Sequence, residues 1–146
     1  MRNNMEIKFL AIAENERFAR QVIASFLLDA DPNLEELCDI KTAVSEAVTN
    51  CIVHGYRGKD GIVIMSATYE NGEIEIVIKD KGVGIANVEK AREPMYTSQP
   101  EMERSGMGFT VMESFMDMLD VISEVGEGTK VIMRKKLEKQ HGQHSD

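Results

Sequence analysis

Glu46-Ala47-Val48-Thr49-Asn50-Cys51-Ile52-Val53-His54-Gly55 is the stretch whose interpretation decides the fold. It has the pattern of the second half of an amphipathic helix. Leu37, Ile40, Val44, Ala47, Val48 and Cys51 recur at helical spacing and mark an apolar face that packs on a core. Glu46, Asn50 and His54 stand at i, i+4 and i+8 and share a different stripe of the same helix. A carboxylate one turn before a carboxamide, on a wall otherwise apolar, can hold a water or hydroxyl beside a metal ion. A solvated polar face has the same spacing, so the rest of the chain must decide between the two.

Toward the N-terminus, residues 5–13 alternate, with Met5, Ile7, Phe9 and Ala11 on one side, and predict a first strand. Residues 14–30 predict a helix with Phe18, Val22 and Phe26 inward, joined by Ile23 and Leu27, and with Glu16 and Arg20 as an outer i, i+4 pair. Asp29-Ala30-Asp31-Pro32-Asn33 breaks that helix before the next, predicted over 34–54 and closed by Gly55. The same acidic run imitates the start of a calcium loop, but Leu34 and Ile40 stand where that loop needs Gly and Glu.

Downstream, residues 56–61 predict a polar turn, 62–69 a strand and 73–80 its return, joined at Asn71-Gly72, a strong hairpin signal. Ile74, Ile76 and Ile78 alternate with Glu75, Val77 and Lys79, so one face of this sheet is covered and the other meets solvent. A short helix is expected over 88–92. Residues 93–108, which carry Pro94 and Pro100, have the length of an active-site lid. A helix over 109–118 has Met112, Phe115, Met116 and Leu119 as core, and strands over 120–125 and 129–136 form a second hairpin. The order predicts an α+β fold: a two-layer α/β sandwich, mostly antiparallel sheet with helices on one face, over residues 1–137, followed by a polar tail at 138–146.

The net charge of -8, from 17 basic against 25 acidic residues, disfavours direct nucleic-acid binding. An acidic chain that binds an anionic ligand must supply positive potential locally, from backbone N–H groups, a metal ion or a few basic side chains. Cys38 and Cys51 form no Cys-x-x-Cys pair and predict incidental or buried thiols. No signal peptide and no apolar run near membrane-spanning length stand out, so a cytoplasmic location away from the membrane is expected.

Three glycine-bearing stretches remain: Asp80-x-Gly82-x-Gly84, Gly106-x-Gly108 and Gly126-x-Gly128-Thr129. Glycine lets the backbone approach a ligand closely and present N–H groups to anionic oxygens. Each alone is an ordinary turn. Nothing matches Gly-x4-Gly-Lys-Ser/Thr, and Asn87 and Val111 stand where a dinucleotide fingerprint needs its third glycine, so P-loop and Rossmann enzymes are disfavoured.

Taken in order, Glu46-x3-Asn50, Asp80-x-Gly-x-Gly, Gly106-x-Gly108 and Gly126-x-Gly128-Thr129 resemble the ATP-binding domain shared by gyrase, a class of ATP-driven chaperones, histidine kinases and MutL, the GHKL superfamily. The match spans nearly the whole chain. Within it, Glu-Ala-Val-Thr-Asn-x3-His-Gly is similar to the bacterial anti-sigma serine kinases of sporulation. The resemblance implies ATP/ADP and Mg2+ as cofactors. It implies that Asn50 ligates Mg2+, that Asp80 accepts a hydrogen bond from the adenine 6-amino group with Thr129 in support, and that Gly82 and Gly84 shape the adenine side. Gly106 and Gly108 would let the lid and helix start close on the phosphates, and Glu46 would be the general base. His54 matches the pattern without an assigned role. No lysine is an obvious phosphate ligand; Arg104 is the nearest lid cation.

By the same resemblance the chain is a protein serine kinase that phosphorylates an anti-anti-sigma partner and sequesters a sigma factor of the sigma F kind. A homodimer is implied, with the first strand and the 14–30 helix as its surface. The alternative is a nucleotide-gated anti-sigma module without significant catalysis. A histidine-kinase catalytic domain is disfavoured by the short stretch before Glu46, and a gyrase-like or chaperone ATPase by the lack of a transducer domain.

Overall fold

The computed structural model describes residues 2–93 and 108–138. Its sheet is built from β1 (Arg2–Leu10), β2 (Ile62–Glu70), β3 (Glu73–Asp80), β4 (Met118–Glu124) and β5 (Gly128–Lys136). The spatial order is β1-β2-β3-β5-β4 and every neighbouring pair is antiparallel. The β2–β3 hairpin closes at Asn71 and Gly72, whose φ angles of 56° and 79° are those a two-residue primed turn requires. Alternation then sorts each strand. Ile74, Ile76 and Ile78 are fully buried, as are Val63 and Met65 on β2 and Met133 on β5.

Among the described residues, four α-helices accompany the sheet: α1 (Glu14–Phe26), α2 (Leu34–Asn50), α3 (Val88–Ala91) and α4 (Gly108–Phe115). The core joins the buried sheet face to Ile40, Ala43, Val44, Ala47 and Val48 of α2, Ala19 and Ile23 of α1, and Phe109 and Met112 of α4. The two-layer α+β architecture expected from the sequence is therefore present. Among the described residues no helix is long and apolar enough to cross a membrane.

Local chemistry sets the helix ends. Asn33 caps α2: its Oδ1 accepts the Glu36 N–H at 2.7 Å while Glu36 Oε1 accepts the Asn33 N–H at 2.9 Å, a reciprocal capping box. The other Glu36 oxygen accepts the Glu138 N–H at 2.8 Å, which ties the end of the described chain to the start of α2. Leu137 N–H also donates to the Gly72 carbonyl at 2.8 Å, beside the β2–β3 turn.

Several boundaries differ from those expected. β1 covers Arg2–Leu10 rather than 5–13, because its partner β2 extends to Glu70 and pairs with Arg2. The first helix stops at Phe26 and passes into a short 3-10 turn, Leu28–Ala30. Its buried stripe is Ala19, Ile23 and Leu27; Phe18 is 46% exposed and meets Phe9 edge-on, with ring centroids 6.2 Å apart. Both stripes are apolar in sequence, and the position of the sheet chooses between them. The 34–54 helix is α-helical to Asn50 and then widens into a π turn over Cys51–Gly55, closed by the Tyr56 N–H on the Cys51 carbonyl at 2.9 Å. Most of the expected lid (94–107), with Gly106, Arg104, Pro94 and Pro100, and the tail from 139 lie outside the described residues.

Candidate functional site

The π turn is where the site begins. Wide turns of this kind displace the backbone by a fraction of a helical turn and recur at functional sites. Here the turn lays Gly55 against the end of β3: a Cβ on Gly55 would come within 2.8 Å of Asp80 Oδ2. The Gly55 carbonyl accepts the Val83 N–H at 2.9 Å, and the Val83 carbonyl accepts the Gly126 N–H at 2.9 Å. Three segments distant in sequence, the end of α2, the loop after β3 and the β4–β5 turn, are thus laced side by side. Packing is close enough that a Cβ on Gly82 would run into the Gly55 carbonyl oxygen. Gly84, at φ +78°, likewise leaves no space for one beside the Glu124 carbonyl.

Sheet register completes the row. Asp80 on β3 stands opposite Thr129 on β5, and Thr129 stands opposite Ser123 on β4. Asp80 is 8% exposed, and its Oδ1 accepts the Gly82 N–H at 2.8 Å. Burial pushes its carboxyl above the usual carboxylate range, opposed by hydrogen bonds from the Gly82 N–H, the Cys51 thiol and the Thr129 N–H. Burial also pushes the Cys51 thiol well up, and the neighbouring Asp80 charge adds to that. The floor of the site is therefore a buried carboxyl group able to accept hydrogen bonds.

At the other end, Glu46 and Asn50 converge on the first residue of α4. A Cβ on Gly108 would lie 3.1 Å from Asn50 Oδ1 and 3.5 Å from Glu46 Oε1, so the helix start packs closely on both side chains. Between the two ends lies a cleft of about 390 Å3 lined by Asn50, Asp80, Gly84, Gly108 and Thr129, together with Cys51, His54, Gly55 and Ile85. Of the expected site residues, Glu46 and Gly82 are not part of that lining, and Gly106 lies outside the described residues.

Two side chains not singled out in the sequence hold the cleft's shape. The Ser123 hydroxyl accepts the Ile85 N–H at 2.7 Å, reaches the Gly128 carbonyl at 3.0 Å and the Thr129 hydroxyl at 2.7 Å. A single hydroxyl proton serves Gly128 in that arrangement, so the Thr129 hydroxyl donates to Ser123 and keeps its lone pairs for the cleft. Tyr56 donates its hydroxyl to the Ile62 carbonyl at 2.6 Å and accepts the Lys81 N–H at 2.7 Å, fastening the 56–61 turn to the end of β3. Both roles depend on register and are invisible before strands are paired.

Residues 9–135 match the family model of the histidine kinase-like ATPase domain. An anti-sigma F factor from Clostridium acetobutylicum is 60% identical over 137 residues, covering 94% of this chain and 96% of that protein. The chain belongs to the anti-sigma F factor family. Another anti-sigma F factor, from a Geobacillus strain, is 54% identical over 140 residues, covering 95% of this chain and 96% of its own. In three dimensions the chain resembles a Mycobacterium tuberculosis structure of RsbU and RsbW domains, with a TM-score of 0.69 at 18% identity over 94% of this chain and a third of that one (33%). This likeness is one of fold. A histidine kinase-like ATPase domain implies nucleotide binding.

Proposed function

We propose that this chain is an ATP-dependent protein serine kinase that phosphorylates an anti-anti-sigma partner and also binds and inhibits a sigma factor. The observation that carries the kinase reading is the convergence of the Glu46 carboxylate and the Asn50 carboxamide on Gly108, at one end of a cleft whose other end is Asp80. Relatives named anti-sigma F factor support the sigma-binding part.

In this reading adenine lies at the Asp80 end. Asp80 accepts the 6-amino hydrogen bond, and the free lone pairs of Thr129 support the base directly or through water. The triphosphate extends along α2 toward Asn50 and the α4 N-terminus, since a helix start favours anions. The donor set fits Mg2+, which takes one or two protein oxygens and completes its octahedron from water and phosphate. Asn50 Oδ1 would hold it, and bound there it would neutralise charge on the phosphates. Glu46, one turn away, would take the proton of the serine hydroxyl as that oxygen attacks the γ-phosphorus and ADP leaves.

The test is Glu46→Ala assayed against an anti-anti-sigma substrate with labelled ATP. Phosphotransfer is expected to fall about 10²–10⁴-fold, the usual contribution of a general base, with nucleotide affinity within a few-fold of wild type. Full activity in the variant removes Glu46 from the chemistry. Absence of any phosphoprotein with the wild type leaves a nucleotide-gated anti-sigma module instead. A homodimer belongs to the same proposal, supported by Leu10, Ile12, Phe18 and Ile62, apolar side chains left exposed where edge strand β1 ends beside the start of β2 and passes into α1.

A further inference from the structure

The rim of the cleft at its Asp80 end has a chemistry of its own. Val83 and Val125 are 40% and 65% exposed, yet both line the cleft. Between them and the end of α2 run the backbone hydrogen bonds from Val83 to Gly55 and from Gly126 to Val83, so the three rim segments lie side by side. Arg57 stands on the third segment, two residues beyond Gly55. Among the described residues lining the cleft it is the one lysine or arginine.

Its position is fixed by the turn. Arg57 has a left-handed backbone, φ 53°, in a turn held by the Gly58 N–H on the Ile52 carbonyl at 3.3 Å and the Lys59 N–H on the Tyr56 carbonyl at 2.9 Å. Tyr56 then fastens that turn to Ile62 and Lys81. A left-handed non-glycine residue persists where its surroundings hold it. Arg57 also lies well away from the phosphate end: from Asn50 to Gly55 the helix alone advances roughly 7 Å, and Gly55 already abuts Asp80.

We propose that Arg57 is a ligand-contact residue of this chain that covers the solvent side of the bound purine, completing with Val83 and Val125 a rim over its flat face. The inference rests on the nucleotide reading of the cleft. A guanidinium is planar, weakly hydrated and stacks on aromatic faces. Two exposed valines offer apolar surface to the same ring. Arg57 therefore contributes to base binding rather than to the phosphates, and its contribution is the same for any adenine nucleotide.

The experiment is calorimetric titration of the full chain with Mg-ATP and with Mg-ADP, for wild type, Arg57→Ala and Arg57→Lys. Arg57→Ala is expected to bind both nucleotides about two- to five-fold more weakly, the size of an exposed cation–π contact, and Arg57→Lys to recover part of the loss. Because Arg57 is exposed, the melting temperature of the ligand-free variants should match wild type, so the loss cannot come from unfolding. Unchanged affinity for both nucleotides overturns the proposal. So does a loss much larger for ATP than for ADP, which would move the guanidinium to the phosphates. A wild type that binds neither nucleotide sinks the underlying reading of the cleft, an outcome distinct from wild-type binding that Arg57→Ala leaves untouched.

Discussion

Asp80 carries opposed demands in a single side chain. Burial raises its pKa above 3.8, so the folded protein holds this proton more tightly than the unfolded chain does. Stability then falls as pH rises wherever the folded state binds more protons. The contribution of Asp80 to folding is fully present below 3.8 and is lost as pH rises through the folded pKa above it. Asp80→Asn cannot titrate, so the stability difference between wild type and Asp80→Asn should decline as pH rises across that window; denaturant melts at a series of pH values measure it. A difference that grows with pH would show that the donors from Gly82, Thr129 and Cys51 outweigh burial. The proposed hydrogen bond to adenine asks the reverse of Asp80, since an ionised carboxylate is the better acceptor. Nucleotide affinity is therefore expected to weaken as pH drops into the same window.

At the scale of elements, the site depends on two devices of different origin. The Asn33 cap is local, and its loss affects α2 alone: Asn33→Ala should cost about 1 kcal/mol with nucleotide affinity unchanged. Gly128 is a meeting point. It adopts φ +117°, and a Cβ there would enter the Asp80 carbonyl oxygen, so Gly128→Ala should cost about 1–3 kcal/mol of backbone strain and also move Asp80 and Thr129. Urea melts paired with ATP titrations separate the two: stability falls in both variants, affinity only in the second. The same contrast explains what the sequence revealed. The Asn71-Gly72 hairpin and the Ile74, Ile76 and Ile78 alternation are set by neighbours in the chain and could be read directly. The π turn at Cys51–Gly55 could not, because a slip of part of a turn leaves the apolar spacing almost unchanged. The Asn33-x-x-Glu36 box is a local pattern too, but it overlaps the acidic run Asp29 to Asn33 that imitates a calcium loop. The inner stripe of α1 was decided by where the sheet lies, which no local pattern contains.

Across the whole molecule, the order β1-β2-β3-β5-β4 inserts the last strand beside the third. That long-range pairing sets Thr129 against Asp80 and makes Ser123 a bracket for the loop after β3. Motif order in the sequence pointed to a shared site; the supporting residues Ser123 and Tyr56 emerge only once the sheet is assembled. A ligand in this cleft touches the end of α2, the loop after β3 and the β4–β5 turn together, so it must stabilise the fold globally. At 100 times its dissociation constant a ligand that binds only the folded state adds about 2.7 kcal/mol. For a chain of 146 residues, at about 2–4 °C per kcal/mol, Mg-ATP should raise the melting temperature by roughly 5–10 °C. Amide exchange should slow in the segments 81–87 and 125–128 and hardly change along β1, which has no residue in the cleft. Asp80→Ala, which removes the proposed base acceptor, should show little of the shift at the same nucleotide concentration. A wild-type shift of equal size with Mg-GTP would count against Asp80 as the selector, because guanine presents a carbonyl where adenine presents its amino group and would set two acceptors face to face.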